Sequence, residues 1–476
     1  MKTLASLAAL VLAGLAVACG APQPKLVPPP PVNPSTAIIG ATLWDGTGRA
    51  PVANAVTVIR GDRILCAGAA GECEVPHGAR VIDARGQYLI PGLIDSHVHL
   101  LFLQNGSASE ELGLDLRDLL AQGVTTVRDM GNSPVALLSR VAGFRATPRV
   151  YAMQLVAGPR FFYPAMRPVR TERGVELRQA PALTMQWLGW TPIQFNRDDD
   201  PDEVVATARK VGAMGLKLYA QLDSGSVRRL TLAAHRAGLT VWGHAWVQPA
   251  SVGEQTAAGM DGVVHAAGLA GELFSAEERD TLVRDGDLQV ATAHAATAAS
   301  ARDPRVLATL DSMAAHGMMF EPTLDATRHS VATYDARVRH VTTQQEGYVR
   351  AAAQFGVEVT REAVKRGVGI SAGSDHVAYG PVGDRASVFG ELRLYVDSLG
   401  LSPTAALLAA TRDAARAIGG EPGRQIGTIE AGRYADLVMV GRNPLEDIGN
   451  LEAVEWVMRG GTIWRPEQLR SGIATR

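Results

Sequence analysis

Pro91-Gly92-Leu93-Ile94-Asp95-Ser96-His97-Val98-His99 carries an apolar run into two histidines spaced i, i+2. As a strand, this run alternates its side chains between two faces, so His97 and His99 point one way and Val98 the other. Imidazoles about 6–7 Å apart along such a strand can converge on one metal ion. Ordinary core or surface histidines satisfy the same spacing, so the reading turns on the rest of the chain.

The chain has 476 residues, 46% of them hydrophobic and 20% charged, with 50 glycines. That composition suits a globular α/β protein with room for a barrel of about 250 residues and additions. A net charge of −2 offers no electrostatic footing for nucleic acid.

The middle of the chain alternates strand and helix. Val124-Thr125-Thr126-Val127, Val150-Tyr151-Ala152-Met153, Gly215-Leu216-Lys217-Leu218-Tyr219, Leu239-Thr240-Val241-Trp242, Gly262-Val263-Val264 and Val368-Gly369-Ile370-Ser371 read as buried strands. Asp202 to Met214, Ser224 to Ala237 and Thr343 to Arg366 read as helices. Such repetition implies parallel strands, and about eight of them between Leu89 and Asp375 favour a closed (β/α)8 TIM-like barrel over an open sheet. Met318 to Thr323 is taken as the seventh strand, with Leu288 to Thr292 as its rival. No glycine-rich phosphate loop is present, which weighs against a nucleotide-binding fold.

Both ends of the chain are rich in short β-runs. Ala37 to Ile39, Ala55 to Ile59 and Arg63 to Leu65 lie at one end, with Gly61-Asp62 as a hairpin turn. Ala435 to Val440, Val454 to Met458 and Gly461 to Ile463 lie at the other. One small β-domain built from both termini is expected. The short spacing of Cys66 and Cys73 in a hairpin-like segment allows a disulfide there.

Ahead of this body, Lys2 and the apolar stretch Leu4 to Ala18 have the pattern of a targeting segment. Ala16-Val17-Ala18 before Cys19 resembles a bacterial lipoprotein signal, although Leu15 sits one place upstream of the usual leucine. That resemblance implies lipidation of Cys19 and a cell-envelope protein held to the membrane by its lipid anchor alone. The alternative is a soluble secreted product cut after Ala18. The Pro-rich stretch from Pro22 to Pro34 fits a stiff tether.

Barrel active sites collect at the C-terminal ends of strands. His97 and His99 end the first expected strand, Lys217 lies in the fourth, His244 ends the fifth, His265 the sixth and Asp375 the eighth. Four of the 11 histidines fall at these positions, which makes coincidence a poor account. Tyr219, two residues after Lys217, shares its face and suits either a substrate contact or the core. Arg328 and His376 are further candidate substrate contacts, with a solvated loop position as the alternative for each. Asp95 and Asp129 are read as structural.

This order of ligand types resembles that of the metal-dependent amidohydrolases, in particular the imidazolonepropionase and prolidase-like branch. Matching stretches are Gly92 to His99, Gly123 to Asp129, Ala372 to Asp375 and Gly427 to Leu437. The resemblance implies a barrel accompanied by a β-sandwich. The division expected is a signal peptide at 1–18, a tether at 19–35, sandwich parts at 36–89 and 421–466, and the barrel at 90–420.

The resemblance also implies two divalent ions, zinc being the expected metal. His97, His99 and Asp375 would hold one ion and His244 and His265 the other, with a carboxylated Lys217 bridging them. A hydroxide between the metals would attack an amide or peptide-like C–N bond of a small molecule, such as a cyclic amide or dipeptide, while Asp375 shuttles the proton. Tyr219, Arg328 and His376 would face the substrate. Two other readings stand beside this one. One is an esterase or lactonase using the same site, and the other is a lipoprotein that binds a small molecule without turnover.

Overall fold

Seven runs rich in apolar and β-branched residues form parallel strands of one curled sheet. They are Leu93–His99, Val124–Asp129, Arg149–Ala157, Gly215–Leu218, Thr240–His244, Gly262–Val264 and Met319–Glu321. Every residue of the second, fourth, sixth and seventh is buried, as parallel strands covered on both faces require. The structure is a computed structural model and describes residues 35–101, 108–162, 169–170, 176–177, 191–245, 247–285, 295–329, 343–377 and 385–471.

The eighth position is irregular. Ile370 bridges Phe320, and the Ser371 N–H donates to the Phe320 carbonyl. On the other side the Ser96 N–H donates to the Ala372 carbonyl, and His376–Val377 pairs with Val98 and His99. The segment from 369 to 377 thus bonds both the seventh and the first strand and completes the ring. A regular strand was expected at Val368 to Ser371. Only the one bridge forms there, and regular pairing waits until His376, immediately after the positive φ of 53° at Asp375. The seventh strand falls within Met318 to Thr323, as expected, and its rival at Leu288 to Thr292 lies outside the described residues.

Aspartates start the outer helices. Asp200, Asp223 and Asp303 each accept a hydrogen bond from a backbone N–H of the first turn, opening Pro201–Lys210, Ser224–Arg236 and Pro304–His316. Val204, Val205 and Ala208 on the first helix and Val227 and Leu230 on the second pack into the core that the barrel strands share. Each buried valine or leucine there stabilises by about 1.5–3 kcal/mol.

A second, mixed sheet draws on both ends of the chain. Thr36–Leu43, Val52–Arg60, Arg63–Ala69, Arg80–Asp83 and Tyr88–Pro91 join Leu437–Val440, Val454–Arg459 and Thr462–Trp464. Gly61-Asp62 makes the expected hairpin turn. The sheet branches at Gly40, whose φ of 84° suits glycine. Before it Thr36 to Ile39 pair with Arg80 to Asp83, and after it Thr42 and Leu43 pair with Tyr88 and Leu89. Ile38, Leu43, Ile64, Leu89, Leu437 and Met458 fill the core of this domain. Leu437–Val440 runs antiparallel to Tyr88–Pro91, so the C-terminal part lies beside the residues that lead into the first barrel strand. Tyr434 fastens the domains, sandwiched between the guanidiniums of Arg63 at 3.8 Å and Arg149 at 3.6 Å, while Arg149 Nε donates to Asp436 at 2.7 Å.

Cys66 and Cys73 are bonded, with Cα atoms 5.7 Å apart, inside the range a disulfide spans. Closing so short a loop stabilises by at most about 2–3 kcal/mol in the chain-entropy picture. Thermal unfolding with and without reductant should therefore show a lower midpoint for the reduced protein. Superimposable curves would mean that the bond contributes nothing to stability.

Residues 1–18, Cys19 and the tether as far as Pro34 lie outside the described residues. Among the described residues no helix is long and apolar enough to cross a membrane.

Candidate metal centre

The side-chain period of the first barrel strand brings His97 and His99 to one face, and the interruption at Asp375 turns its carboxylate toward them. Asp375 Oδ1 lies 3.3 Å from both His97 Nε2 and His99 Nε2. The three ligand atoms available from these residues lie within 4.8 Å of one another. His265 approaches from the sixth strand end, with Nδ1 3.9 Å from Asp375 Oδ2. Its ring centroid is 5.1 Å from that of His97 and 4.6 Å from that of His244. Tyr219 packs edge-on against His244 at 4.4 Å, with Phe161 on it at 5.2 Å.

Strand ends alone do not force this convergence. His265, Thr323 and Asp375, at the ends of consecutive strands, take φ values of 70°, 52° and 53°. Positive φ in non-glycine residues costs energy and collects where a site over-determines the backbone. The cluster is sealed below and open above: the side chains of His97 and Lys217 are buried, whereas those of Asp375 and His265 keep 23% and 27% of their exposure.

Charge follows burial. Burial pushes the Lys217 amine down to about 7, against the opposing pull of the Glu321 and Asp375 carboxylates. Burial likewise depresses His97, His244 and His265, favouring neutral rings. The Asp375 carboxyl would be raised by burial, but His97, His99 and His265 overcome that and hold it well below the usual carboxylate range. Neutral imidazoles, an ionised carboxylate and a readily neutralised amine are the forms that ligate or accept carbon dioxide.

A divalent metal fits these residues. His97 Nε2 and Lys217 Nζ are buried side-chain nitrogens without a hydrogen-bond partner. An unmade bond to a buried polar atom costs about 1–3 kcal/mol, so two such atoms in one pocket need a compensating ligand. Imidazole and carboxylate donors, with a carbamate from lysine, suit zinc.

The remaining candidates lie as follows. His376 is buried with both ring nitrogens engaged: Nδ1 pairs with the Ala386 carbonyl at 3.1 Å and Nε2 with Asp115 at 3.0 Å. It is not a solvated loop residue, and its ring is held by Asp115 on the helix Ala108–Ala121 and by the Ala386 carbonyl. Arg328 sits in the short helical stretch 324–329 that follows the seventh strand, where its side chain is 59% exposed and forks onto Asp325 with one bond of 2.6 Å. Asp95 is structural, accepting from Ser374 N at 2.9 Å and His97 N at 3.2 Å. Asp129 is structural too, taking the backbone N–H groups of Leu100, Gly131 and Asn132. The side chains of Arg160, Arg167, Arg170, Trp187 and Trp190, the distinctive part of the segment before Asp200, lie outside the described residues.

Sequence reasoning gave no role to Glu321, Arg128 or Thr323. Glu321 ends the seventh strand, fully buried, with Oε1 2.9 Å from His97 Nδ1. Arg128 Nη2 donates to its other oxygen at 3.1 Å, and Thr323 Oγ1 lies 2.9 Å from His265 Nδ1. In the sequence Glu321 shows only as an acid closing an apolar strand, and its contact with His97 is not marked there.

Known proteins resemble this chain along most of its length. A model described as the amidohydrolase family matches residues 88–463. Imidazolonepropionase of Bacillus velezensis is 39% identical over 84 residues, 16% of this chain and 20% of that protein. The chain spans only about a fifth or less of the length of the first curated relatives it matches, between 13% and 22%. In three dimensions it is similar to a prolidase crystallised with N-methylphosphonate-L-proline, with a TM-score of 0.68 and 23% identity over 90% of this chain and 99% of that one. It is also similar to A. niger ochratoxinase, with a TM-score of 0.68 and 19% identity over 91% of this chain and 96% of that one. At these identities the structural likeness speaks for the fold.

Proposed function

The chain belongs to the amidohydrolase family, and from that premise we propose that it is a zinc-dependent hydrolase of an amide or peptide-like C–N bond in a small molecule. One observation carries the reading: His97, His99 and Asp375 converge within 4.8 Å, and the buried, unpartnered amine of Lys217 is near enough to interact electrostatically with Asp375 and His97. His97, His99 and Asp375 would hold one ion and His244 and His265 a second, with Lys217 between them as its carbamate. Two divalent ions there would bring the pKa of a shared water toward neutrality and polarise a substrate carbonyl.

The protein's own groups supply the rest. Asp375, held ionised and partly open to solvent, accepts a proton at its carboxylate from the attacking water and returns it to the leaving nitrogen. Tyr219, packed edge-on against His244, would donate a hydrogen bond to the scissile carbonyl or a substrate carboxylate. His97 and Lys217, sealed beneath, are shielded from bulk water. The relatives named above as a prolidase and an imidazolonepropionase support a dipeptide or cyclic amide as the substrate class.

The test is turnover by zinc-loaded protein against a panel of dipeptides, cyclic amides, esters and lactones. Hydrolysis of a C–N bond, abolished by a chelator and restored by zinc, is expected. Turnover confined to esters or lactones would replace the bond type, and binding without turnover would replace the reading itself.

A further inference from the structure

Glu321 reaches three other barrel strands from the end of the seventh. Its Oε1 lies 2.9 Å from His97 Nδ1. Its Oε2 accepts from Arg128 Nη2 at 3.1 Å, from Ser371 Oγ at 3.3 Å and from Ser96 Oγ. Arg128 is itself fixed, with Nε donating to the Ser96 carbonyl at 2.8 Å and Nη1 to the Ala417 carbonyl at 2.6 Å. Its guanidinium also stacks on Trp242 at 4.1 Å. All of these side chains are buried or face the barrel interior below the open cluster.

Space at this point is reserved for the pair. A Cβ at Gly373 would stand 2.7 Å from Glu321 Cγ and 2.7 Å from His97 Cβ, so the eighth strand passes here only as glycine. Gly373 holds no positive φ, so the requirement is one of room and not of backbone conformation.

The donors around Oε2 leave the carboxylate as an acceptor on both oxygens, and an acceptor at Oε1 obliges His97 Nδ1 to carry the proton. The neutral ring then presents a bare lone pair at Nε2, the nitrogen that faces Asp375 and has no hydrogen-bond partner. His265 is served differently, by the hydroxyl of Thr323, which can donate or accept and so does not dictate a tautomer. We infer that Glu321, braced by Arg128, is a positioning residue that sets His97 in the Nδ1–H tautomer and so prepares Nε2 as a metal ligand before any metal arrives. The inference rests on the metal-hydrolase reading for its purpose, and on the contacts alone for its geometry.

Glu321→Gln tests it while keeping the volume. A carboxamide has one acceptor and one donor end, yet both His97 Nδ1–H and Arg128 require an acceptor. With oxygen toward His97, the NH2 group meets a guanidinium. With oxygen toward Arg128, the NH2 donates to Nδ1 and drives the proton to Nε2, where it blocks the ligand. Zinc affinity, measured by competition with a chelator, should fall about 10- to 100-fold, the usual loss when such an outer partner of a ligand is changed. The second measurement needs no metal: 15N chemical shifts of the metal-free protein, with His97 assigned by its loss in His97→Gln, should show Nδ1 protonated and Nε2 bare.

Unchanged zinc affinity in Glu321→Gln, or wild-type His97 protonated at Nε2, would overturn the inference. If Glu321→Gln does not fold, the wild-type tautomer decides alone. Wild-type protein that binds zinc and shows the expected tautomer but hydrolyses nothing would sink the hydrolase reading and leave this one standing.

Discussion

Lys217→Ala should strip metal and activity together. The amine lies in the fourth barrel strand, buried, without a hydrogen-bond partner and shifted to about 7, so near neutral pH a large share is the free base. Only that form adds carbon dioxide: nitrogen bonds to carbon, one of its protons leaves to solvent, and a carbamate anion replaces the neutral amine. The exchange suits the surroundings, because an unpaired buried ammonium is costly and a carbamate can be shared by two cations. Alanine removes the bridge and leaves neutral histidines facing a cavity. Bound zinc should fall below one ion per chain, and turnover by more than about 100-fold, beyond the loss typical of a ligand's outer partner. Added acetate or propionate, diffusing into the vacated space, should restore part of both. The measurement is metal content by elemental analysis beside turnover, with and without the carboxylate. Two ions per chain and near-normal turnover in Lys217→Ala would rule out the bridge, whereas one ion per chain with turnover kept would leave one metal on His97, His99 and Asp375 as the better arrangement.

What could be seen in the sequence, and what could not, divides by the range of the interaction. His97 and His99 were legible because strand period is local: two residues apart means one face, and both Nε2 atoms do reach one carboxylate oxygen. Lys217, His244 and His265 were legible because strand ends in a barrel share one rim. The Gly61-Asp62 hairpin and the helices Pro201–Lys210 and Ser224–Arg236 were legible for the same local reason, though their aspartate caps were not read. Glu321 was not, since its partner His97 is 224 positions away and a lone acid after Met-Phe carries no periodic signature. His376 was misread for a related reason. Its counter-ion, Asp115, is 261 positions away, and without it a histidine beside Asp375 looks like part of the open site. The branching of the small sheet at Gly40 also escaped, because one glycine in a strand pattern reads equally as a bulge.

Asp375→Asn should separate proton transfer from metal binding. Asparagine keeps an oxygen where Oδ1 now stands 3.3 Å from His97 and His99, so a ligand atom survives. It also tolerates the backbone: Asp375 has φ 53°, a region that asparagine enters more readily than most residues, so the variant avoids the strain that alanine would add. What it lacks is a basic oxygen. The native carboxylate is ionised at neutral pH and partly open to solvent, so its oxygen can take a proton from water and release it to the departing nitrogen. Removing a positioned acid–base group lowers turnover by about 10²- to 10⁴-fold. The loss of one negative charge from the ligand set should lower zinc occupancy far less, and KM should move little beside kcat, because the missing step follows substrate binding. A leaving group that needs no proton offers a sharper check: the deficit should shrink for an anilide bearing a strongly electron-withdrawing ring, whose nitrogen departs more easily unprotonated. Full activity of Asp375→Asn on an ordinary amide would mean that the proton travels by another route, and the role given to this carboxylate would have to be withdrawn.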